Sequence, residues 1–365
     1  MTDGQSFLQS PIGATRGWWD DLETEERNTI VGLAVFGGLL LAATAVGILN
    51  PTYLLYLLTL AGMFTLMTLG LNVQWGYTGL VNFSVIAFWG IGAYSAAMVT
   101  AERSPLGWEL HPVWGVVVAV VASALLATLI AVPTLRLRAD YLAIATLGFA
   151  EIVRMVINNE RAYTNGSAGI PGIPSVAEWV ESPDLVSFLT IALLVAVVYL
   201  VLRRAQLSPW GRVQRTIRAD EDLAQALGKN TFRFKLQSFV LGSVIMALAG
   251  VAYVHLITPL ITPTGLEPIR TFYVWIGIIL GGSGSNRGAV VGGLTIVAIR
   301  QAPSFIRNQL LNVPAIAPYV SEINVGALRL FLVGVLVILI VRYRSSGLLP
   351  PKREHIWSKT LEDRS

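Results

Sequence analysis

The sequence is poor in charged residues and has no cysteine. Asp, Glu, Lys and Arg make up 13% of its 365 residues, whereas soluble domains carry about 25%. This small number of charges cannot cover a folded surface with solvated groups. The surface must therefore face something other than water, and lipid is the obvious candidate. The absence of Cys excludes disulfides, thiolate metal sites and cysteine nucleophiles. The three His residues lie far apart in the sequence, which does not favour a metal cluster. We therefore predict no cofactor, no metal site and no catalytic residue.

Apolar residues make up 54% of the chain and are grouped in long runs. About 20 apolar residues span a bilayer as a helix, and backbone polar groups in lipid must be bonded internally. No alternating pattern indicates a β-barrel. We predict an all-α polytopic membrane protein with about 8–10 transmembrane helices. The candidate runs are 29–49, 51–71, 79–100, 112–133, 140–158, 185–203, 235–256, 270–282, 287–301 and 324–342.

Three of these runs are irregular. Asn82 and Ser84 interrupt the run at 79–100, while 270–282 and 287–301 are short and rich in Gly. Either member of the last pair is a candidate half-helix or re-entrant segment.

Basic residues predict the orientation. They concentrate at 203–235, after residue 341, and at Arg136 and Arg138. Even numbers of spans separate these segments, so the positive-inside rule places all of them, and both termini, in the cytoplasm. This distribution suits a lipid bilayer as partner and does not suit nucleic acid. The predicted parts are a cytoplasmic tail at 1–28, a transmembrane permease domain at 29–343 with a cytoplasmic loop at 204–234, and a cytoplasmic tail at 344–365.

The loop 204–234 carries the clearest functional pattern. Apolar residues at 219, 223, 226 and 227 fall on one helical face, and acidic residues at 220–222 occupy the rest. Gly228 is a helix stop signal. We predict a short helix over 219–228. It either lies on anionic lipid or docks a cytoplasmic partner.

Five blocks carry a resemblance to a known family. The segment 211–230 resembles the coupling loop of the LivH/LivM permease family, and 70–83, 137–149, 164–170 and 280–289 resemble other blocks of that family in the same order. The block at 137–149 resembles the LivM side. The general importer pattern is an acid, two alanines and a glycine six residues after the acid. Asp222, Ala224 and Gly228 match it, while Leu223 replaces the first alanine.

The resemblance implies the permease subunit of a binding-protein-dependent ABC importer in the plasma membrane, carrying branched-chain or hydrophobic amino acids. It implies as partners a homologous LivH-type permease in a heterodimer, or a second copy in a homodimer, two cytoplasmic ATPases and an extracytoplasmic binding protein. The sequence has no Walker A pattern, so we expect no ATPase activity and no enzyme. The ATPase-coupling residues that the resemblance implies are Asp220, Glu221, Asp222, Leu223, Ala224, Ala226, Leu227 and Gly228.

Two alternatives remain open. A urea or short-amide permease of the same family shares these motifs. An ion-coupled secondary transporter belongs to a different class, and it predicts more acids or histidines at mid-membrane than this sequence has.

Polar residues within the apolar runs are candidates for a translocation path. Glu151 lies near mid-span and Arg154 follows three residues later, on the same helical face. They form either a structural ion pair or a pair that meets a zwitterionic substrate. Asn82 and Thr146 also interrupt apolar context. We predict Asn82, Thr146, Glu151 and Arg154 as path-lining residues.

Gly284, Gly288 and Gly292 recur every four residues. Such a stripe of small residues lets helix backbones approach closely. It predicts packing inside the subunit, a dimer seam or a constriction of the path.

Overall fold

The computed structural model describes residues 49–176, 180–311, 324–343 and 347–351, together with residues 27, 31, 37–38, 42–47 and 318. About half of the predicted first span, 29–49, and most of both predicted tails lie outside these residues. The chain divides into two units, 1–54 and 55–365. Everything below concerns the second unit, apart from the first residues of its opening helix.

Helices account for nearly all the regular structure in the described residues. The antiparallel strands β1 (Ile170–Pro171) and β2 (Leu260–Ile261) pair Ile170 with Ile261. Short 3₁₀ turns cover Gly166–Ala168 and Pro263–Leu266. The helices are α1 (Pro51–Leu71, continued by a π-helix over Asn72–Tyr77), α2 (Val85–Thr100), α3 (Pro112–Thr134), α4 (Ala139–Asn159), α5 (Arg161–Thr164), α6 (Pro183–Leu207), α7 (Pro209–Ala219), α8 (Glu221–Ala226), α9 (Thr231–Leu256), α10 (Ile269–Gly281), α11 (Asn286–Leu311) and α12 (Val325–Tyr343).

The length and composition of these helices confirm an all-α polytopic membrane protein. Within the described residues, five helices are long and apolar enough to cross a membrane: α1 with its π-helix, α3, α6, α9 and α11. Shorter apolar helices are α2, α10 and the Val325–Leu336 part of α12. The helix α4 is long as well, but it carries Asp140, Glu151 and Arg154 and is not among the five.

The helix α2 forms the centre of the bundle. Nearly all its residues are buried, and it contacts α9, α3 and α4. The helices α1 and α9 are mostly buried, whereas α3 and α6 are mostly exposed. The exposed faces of α3 and α6 carry large apolar side chains such as Leu129 and Leu193. In a membrane protein such faces contact lipid.

The predicted run at 79–100 is wrong at its start. Residues 79–84 are not helical, and α2 begins at Val85. Gly79 has φ +75°, and the Asn82 side chain accepts hydrogen bonds from the backbone N–H and the hydroxyl of Ser84 at 2.7 and 2.5 Å. A side chain that bonds the local backbone competes with helix formation, which explains the late start.

The two Gly-rich segments differ in length. The helix α10 is short, at 13 residues, but α11 runs for 26. Prediction of 287–301 as a short segment was therefore wrong, because the polar residues after Ile299 continue the helix.

The glycine stripe is also shorter than predicted. Gly284 precedes α11 and has φ +88°, so it belongs to a turn and not to the helix. Gly288 and Gly292 lie on α11, facing α10. A Cβ on Gly288 would lie 2.6 Å from the Gly281 carbonyl oxygen, and one on Gly292 would lie 1.9 Å from that of Gly277. These two glycines pack α10 against α11 inside the subunit.

Candidate functional site

The loop 204–234 folds as two helices instead of one. Ala219 ends α7, Asp220 is extended, and α8 begins at Glu221. The Asp220 Oδ1 accepts the Leu223 backbone N–H at 2.9 Å, which caps the start of α8. The predicted start at 219 is therefore wrong, because the cap separates the two helices.

The helix ends at Ala226, two residues before the predicted end, and Gly228 is the stop signal that the sequence predicts. Gly228 has φ +73°, a conformation that favours glycine. Its N–H donates to the Gln225 carbonyl at 2.8 Å, and the Lys229 N–H donates to the Ala224 carbonyl at 3.1 Å. This pair of bonds is the Schellman arrangement, which satisfies the last carbonyls of a helix.

All the apolar side chains in and directly after α8, except that of Ala224, face outward. Leu223 is 52% exposed and Leu227 is 63% exposed, and Ala226 is exposed beside them. Ala224 alone among the α8 residues is buried. We call the exposed set, Asp220, Asp222, Leu223, Ala226 and Leu227, the α8 surface. An exposed apolar patch with a polar rim is typical of an interaction site.

The other side of α8 is bonded to α9. The Lys235 Nζ lies 2.9 and 2.8 Å from the two carboxylate oxygens of Glu221. The Gln225 Nε2 donates to the Thr231 Oγ1 at 3.2 Å. Both partners lie at the start of α9, so these bonds hold α8 against that helix.

The helix α7 also lies against α9. The Trp210 Nε1 donates to the Gln237 Oε1 at 2.9 Å, and the Gln214 Nε2 donates to the Phe234 carbonyl at 3.1 Å. Ile217 is buried on the same helix. Specific bonds and burial thus hold α7 in one position on the bundle.

Arg218 connects α7 to two further elements, and we call this contact the Arg218 link. Its guanidinium donates to the Gly76 carbonyl in the π-helix and to the Ser283 Oγ, at 3.2 Å, in the turn between α10 and α11. Although the side chain as a whole is exposed, burial lowers the pKa of the Arg218 guanidinium from its usual value. Arginine remains charged at neutral pH, so both bonds have a charged donor.

A buried network lies directly behind the Arg218 link. The Asn286 Oδ1 accepts from the Asn72 Nδ2 at 3.0 Å and from the Tyr77 hydroxyl at 2.5 Å. The Asn286 Nδ2 donates to the Gln206 Oε1 at 3.2 Å, and the Gln206 Nε2 donates to the Gly284 carbonyl at 3.0 Å. This Asn286 network joins α6, the π-helix and the start of α11. Sequence reasoning missed both the network and the Arg218 link, because their members are far apart along the chain.

Asn82 and Thr146 are completely buried. The Asn82 Nδ2 donates to the Gln74 Oε1 at 2.7 Å, and the Asn82 backbone carbonyl accepts from the Trp275 Nε1 at 3.0 Å. The Thr146 Oγ1 accepts the Phe83 backbone N–H at 2.9 Å. These bonds satisfy the irregular backbone between the π-helix and α2, which is tolerated at membrane depth only inside protein. Their role in a path stays a prediction.

Glu151 and Arg154 form the ion pair that their spacing predicts. The Arg154 Nε donates to the Glu151 Oε2 at 2.9 Å, and a second bond joins the other oxygen to the Arg154 Nη2. Both side chains are about one-third exposed, at 34% and 39%. The pair therefore lies on an accessible face of α4, while Asn82 and Thr146 lie within the core. Among the described residues, no group of three or more His, Cys, Asp or Glu side chains could hold a metal.

The long apolar helices define a multi-pass membrane protein. The model of the family described as "Branched-chain amino acid transport system / permease component" matches residues 53–341. The chain belongs to this family.

Individual relatives confirm the LivM-type resemblance. The chain is 29% identical to the high-affinity branched-chain amino acid transport system permease protein LivM of Salmonella typhimurium, over 83% of this chain and 71% of the relative. It is 25% identical to the probable branched-chain amino acid transport permease protein LivM of Methanocaldococcus jannaschii, over 80% and 91%. The LivH permease of Escherichia coli is 29% identical, over 67% and 83%. No solved structure matches the chain significantly.

Proposed function

We propose that this chain is the permease subunit of a binding-protein-dependent ABC importer that carries branched-chain or other hydrophobic amino acids across the plasma membrane. The names of its relatives, branched-chain amino acid transport permeases, support the substrate class. In this proposal two cytoplasmic ATPases supply the energy, a LivH-type permease or a second copy completes the pore, and an external binding protein delivers the substrate.

The α8 surface carries the proposal. Two exposed leucines with acidic neighbours lie on one side of a short capped helix, and the opposite side is bonded to α9. An ATPase that binds the α8 surface would move α8 and α7 together. The Glu221–Lys235 pair would pass this motion to α9, and the Arg218 link would pass it to the π-helix and to the α10–α11 turn.

The topology of the proposal follows the basic residues. The loop 204–234 of the permease domain 29–343 faces the cytoplasm. The tails 1–28 and 344–365, which precede and follow this domain in the sequence, face the cytoplasm as well. Glu151 and Arg154 remain candidates for the path, since an accessible pair of opposite charges suits a zwitterion. A mostly apolar path suits an aliphatic side chain.

Co-purification tests the docking step. We expect Leu223→Asp to abolish recovery of the ATPases with the tagged chain, because it places a charge where apolar contact is required. Gly228→Pro should act similarly, because proline lacks the N–H that closes α8. Leu207→Asp is the matched control, since Leu207 is also an exposed leucine of this region but lies outside α8. Equal recovery with Leu223→Asp and Leu207→Asp would contradict docking on α8.

Uptake measurements separate the proposal from its alternatives. Reconstituted vesicles with ATP and no ion gradient should accumulate leucine, isoleucine or valine. Accumulation driven by an ion gradient without ATP would indicate a secondary transporter. Uptake of urea in preference to the three amino acids would indicate the amide branch of the family.

A further inference from the structure

Three arginines lie together at the end of α10, α11 and α12 that is remote from α7 and α8. We call Arg270, Arg300 and Arg329 the arginine cluster. The helices α10 and α11 are antiparallel, and Gly277 lies against Gly292. Two helical turns further from this contact, the same register places Arg270 of α10 opposite Arg300 of α11.

The third arginine reaches the cluster from α12. The Arg329 Nη2 donates to the Ser304 Oγ at 3.1 Å, and Ser304 lies one helical turn beyond Arg300 on the same face of α11. Arg270 and Arg329 both act on Arg300 electrostatically, as this placement requires. Three positive charges therefore converge at one end of the three helices.

No carboxylate neutralises the cluster within the part of the chain that the structure describes. None of the ion pairs between described residues involves these arginines, and Glu267, just before α10, interacts with Arg154 on α4 instead. The Nε atoms of Arg300 and Arg329 are enclosed and have no described partner. The Nη atoms of Arg300 also have no described partner, but they are not enclosed. The cluster therefore offers open Nη donors and an uncompensated charge.

Aromatic rings hold Arg300 in place. Its Cζ lies 5.2 Å from the centre of the Phe64 ring and 4.4 Å from the centre of the Tyr273 ring. Such contacts stabilise a guanidinium where water is scarce, but they do not neutralise its charge. A guanidinium that is held in position and has free N–H groups suits the oxygens of a phosphate.

The surroundings of the cluster indicate that its anion belongs to a lipid. Leu330 and Phe331, next to Arg329, are exposed, and so is Ile306 on α11. In a membrane protein such apolar faces contact acyl chains. A helix rises about 1.5 Å per residue, so Arg300 lies about 21 Å from the start of α11. Its long side chain can therefore reach the headgroups at the far surface of a hydrocarbon core about 30 Å thick.

We propose that the arginine cluster binds the phosphate group of an anionic phospholipid, whose acyl chains lie along the exposed apolar face of α12. The Nη groups of Arg300 and Arg270 donate to the phosphate oxygens, and Arg329 adds a third positive charge. The net negative charge of the lipid offsets the repulsion among the three arginines. A zwitterionic phospholipid offsets it less, so it binds less tightly.

Native mass spectrometry of the purified full chain tests the proposal by titration with phosphatidylglycerol. Phosphatidylcholine with the same acyl chains is the comparison lipid, because its choline group cancels the phosphate charge. We expect phosphatidylglycerol to bind about tenfold more tightly than phosphatidylcholine, or better. Arg300→Gln should weaken phosphatidylglycerol binding about tenfold or more, because charge-assisted hydrogen bonds are lost.

A second variant keeps the ring contacts of Arg300. Arg270→Gln combined with Arg329→Gln should also weaken phosphatidylglycerol binding about tenfold or more. Arg103→Gln is the matched control, because Arg103 is an exposed arginine between α2 and α3 and lies outside the cluster. Equal affinity for the two lipids would overturn the proposal. Unchanged affinity in both cluster variants, or an equal loss in the Arg103 control, would overturn it as well.

Soluble competitors separate a lipid from other anions. Neither inorganic phosphate nor leucine should displace phosphatidylglycerol, because neither contacts the apolar face of α12. Displacement by inorganic phosphate would indicate a site for a free anion, and displacement by leucine would indicate a transport path. Either result would overturn the assignment to a lipid. The titration needs no ATP and no partner subunit, so its outcome is independent of the importer proposal.

Discussion

Removing the Arg218 link should separate ATPase docking from transport. Arg218→Met keeps an unbranched aliphatic side chain and removes both donors, those to the Gly76 carbonyl and to the Ser283 Oγ. The α8 surface is unchanged in this variant. We therefore expect the ATPases to bind as before, while α7 loses its contact with the π-helix and with the α10–α11 turn.

The two hydrogen bonds set the size of the effect. Bonds with a charged donor contribute about 1.5–3 kcal/mol each when buried, but partial exposure of Arg218 reduces this through solvent screening. About 1 kcal/mol for each bond is a fair value, so the link contributes about 2 kcal/mol. That is a factor of about 30 in an equilibrium constant.

Hydrogen exchange measures this factor in the purified chain. The amides of residues 209–219 should exchange up to about 30-fold faster in Arg218→Met. In this variant α7 can open locally without the free-energy cost of breaking the Arg218 link. Arg212→Met is the control, since it removes the same charge from an exposed position on α7 that makes neither of the two bonds. In reconstituted vesicles the Arg218 variant should consume more ATP for each substrate molecule taken up. Identical exchange and identical coupling in the two variants would refute the role of the link.

Four other variants test stability and the path. Asp220→Ala should destabilise α8 by about 1 kcal/mol and Asp220→Ser should restore most of it, as measured by exchange of the amides at 221–226. Gly292→Ala should lower the thermal midpoint, at a cost of about 1–3 kcal/mol, because its Cβ would lie 1.9 Å from the Gly277 carbonyl oxygen. Gly148→Ala is the control and should not lower the midpoint, because nothing lies within 4 Å of a Cβ at that position. An equal loss of stability in both variants would contradict the packing of α10 against α11. Asn82→Leu should lower the midpoint, because it leaves buried partners unbonded, whereas Glu151→Gln should change stability by at most about 1 kcal/mol. A change of uptake KM in Glu151→Gln at an unchanged midpoint would support its place in the path, and an unchanged KM would argue against it.

The membrane helices were predictable because lipid selects for apolar composition whatever the packing partners are. Local polar bonds determined where prediction failed. The side chain of Asn82 bonds the backbone around Ser84, and helix α2 starts later than its apolar run. The polar residues after Ile299 continue α11 because they pack against other parts of the chain: the Arg300 guanidinium lies over the rings of Phe64 and Tyr273.

Within the loop 204–234, the C-terminal end of α8 was predicted, but its N-terminal end was not. Gly228 stops α8 by adopting a positive φ, which glycine favours, so the residue type alone indicates the helix end. Asp220, followed by Glu221 and Asp222, is a helix-start signal of equal quality, and it would have identified the break between α7 and α8. No local pattern reveals the contacts of Arg218 with Gly76 and Ser283, because they depend on tertiary packing.

Site-directed cross-linking at residue 223 tests the central claim most directly. The chain has no cysteine, so Leu223→Cys introduces a single thiol on the α8 surface. We expect this thiol to react with a reagent confined to the cytoplasmic side and to cross-link to the ATPase subunit, with a yield that changes when ATP is added. Leu189→Cys, at an exposed position on α6, should form no such cross-link. Reaction from the external side alone, or no cross-link in the presence of the ATPase, would contradict the account.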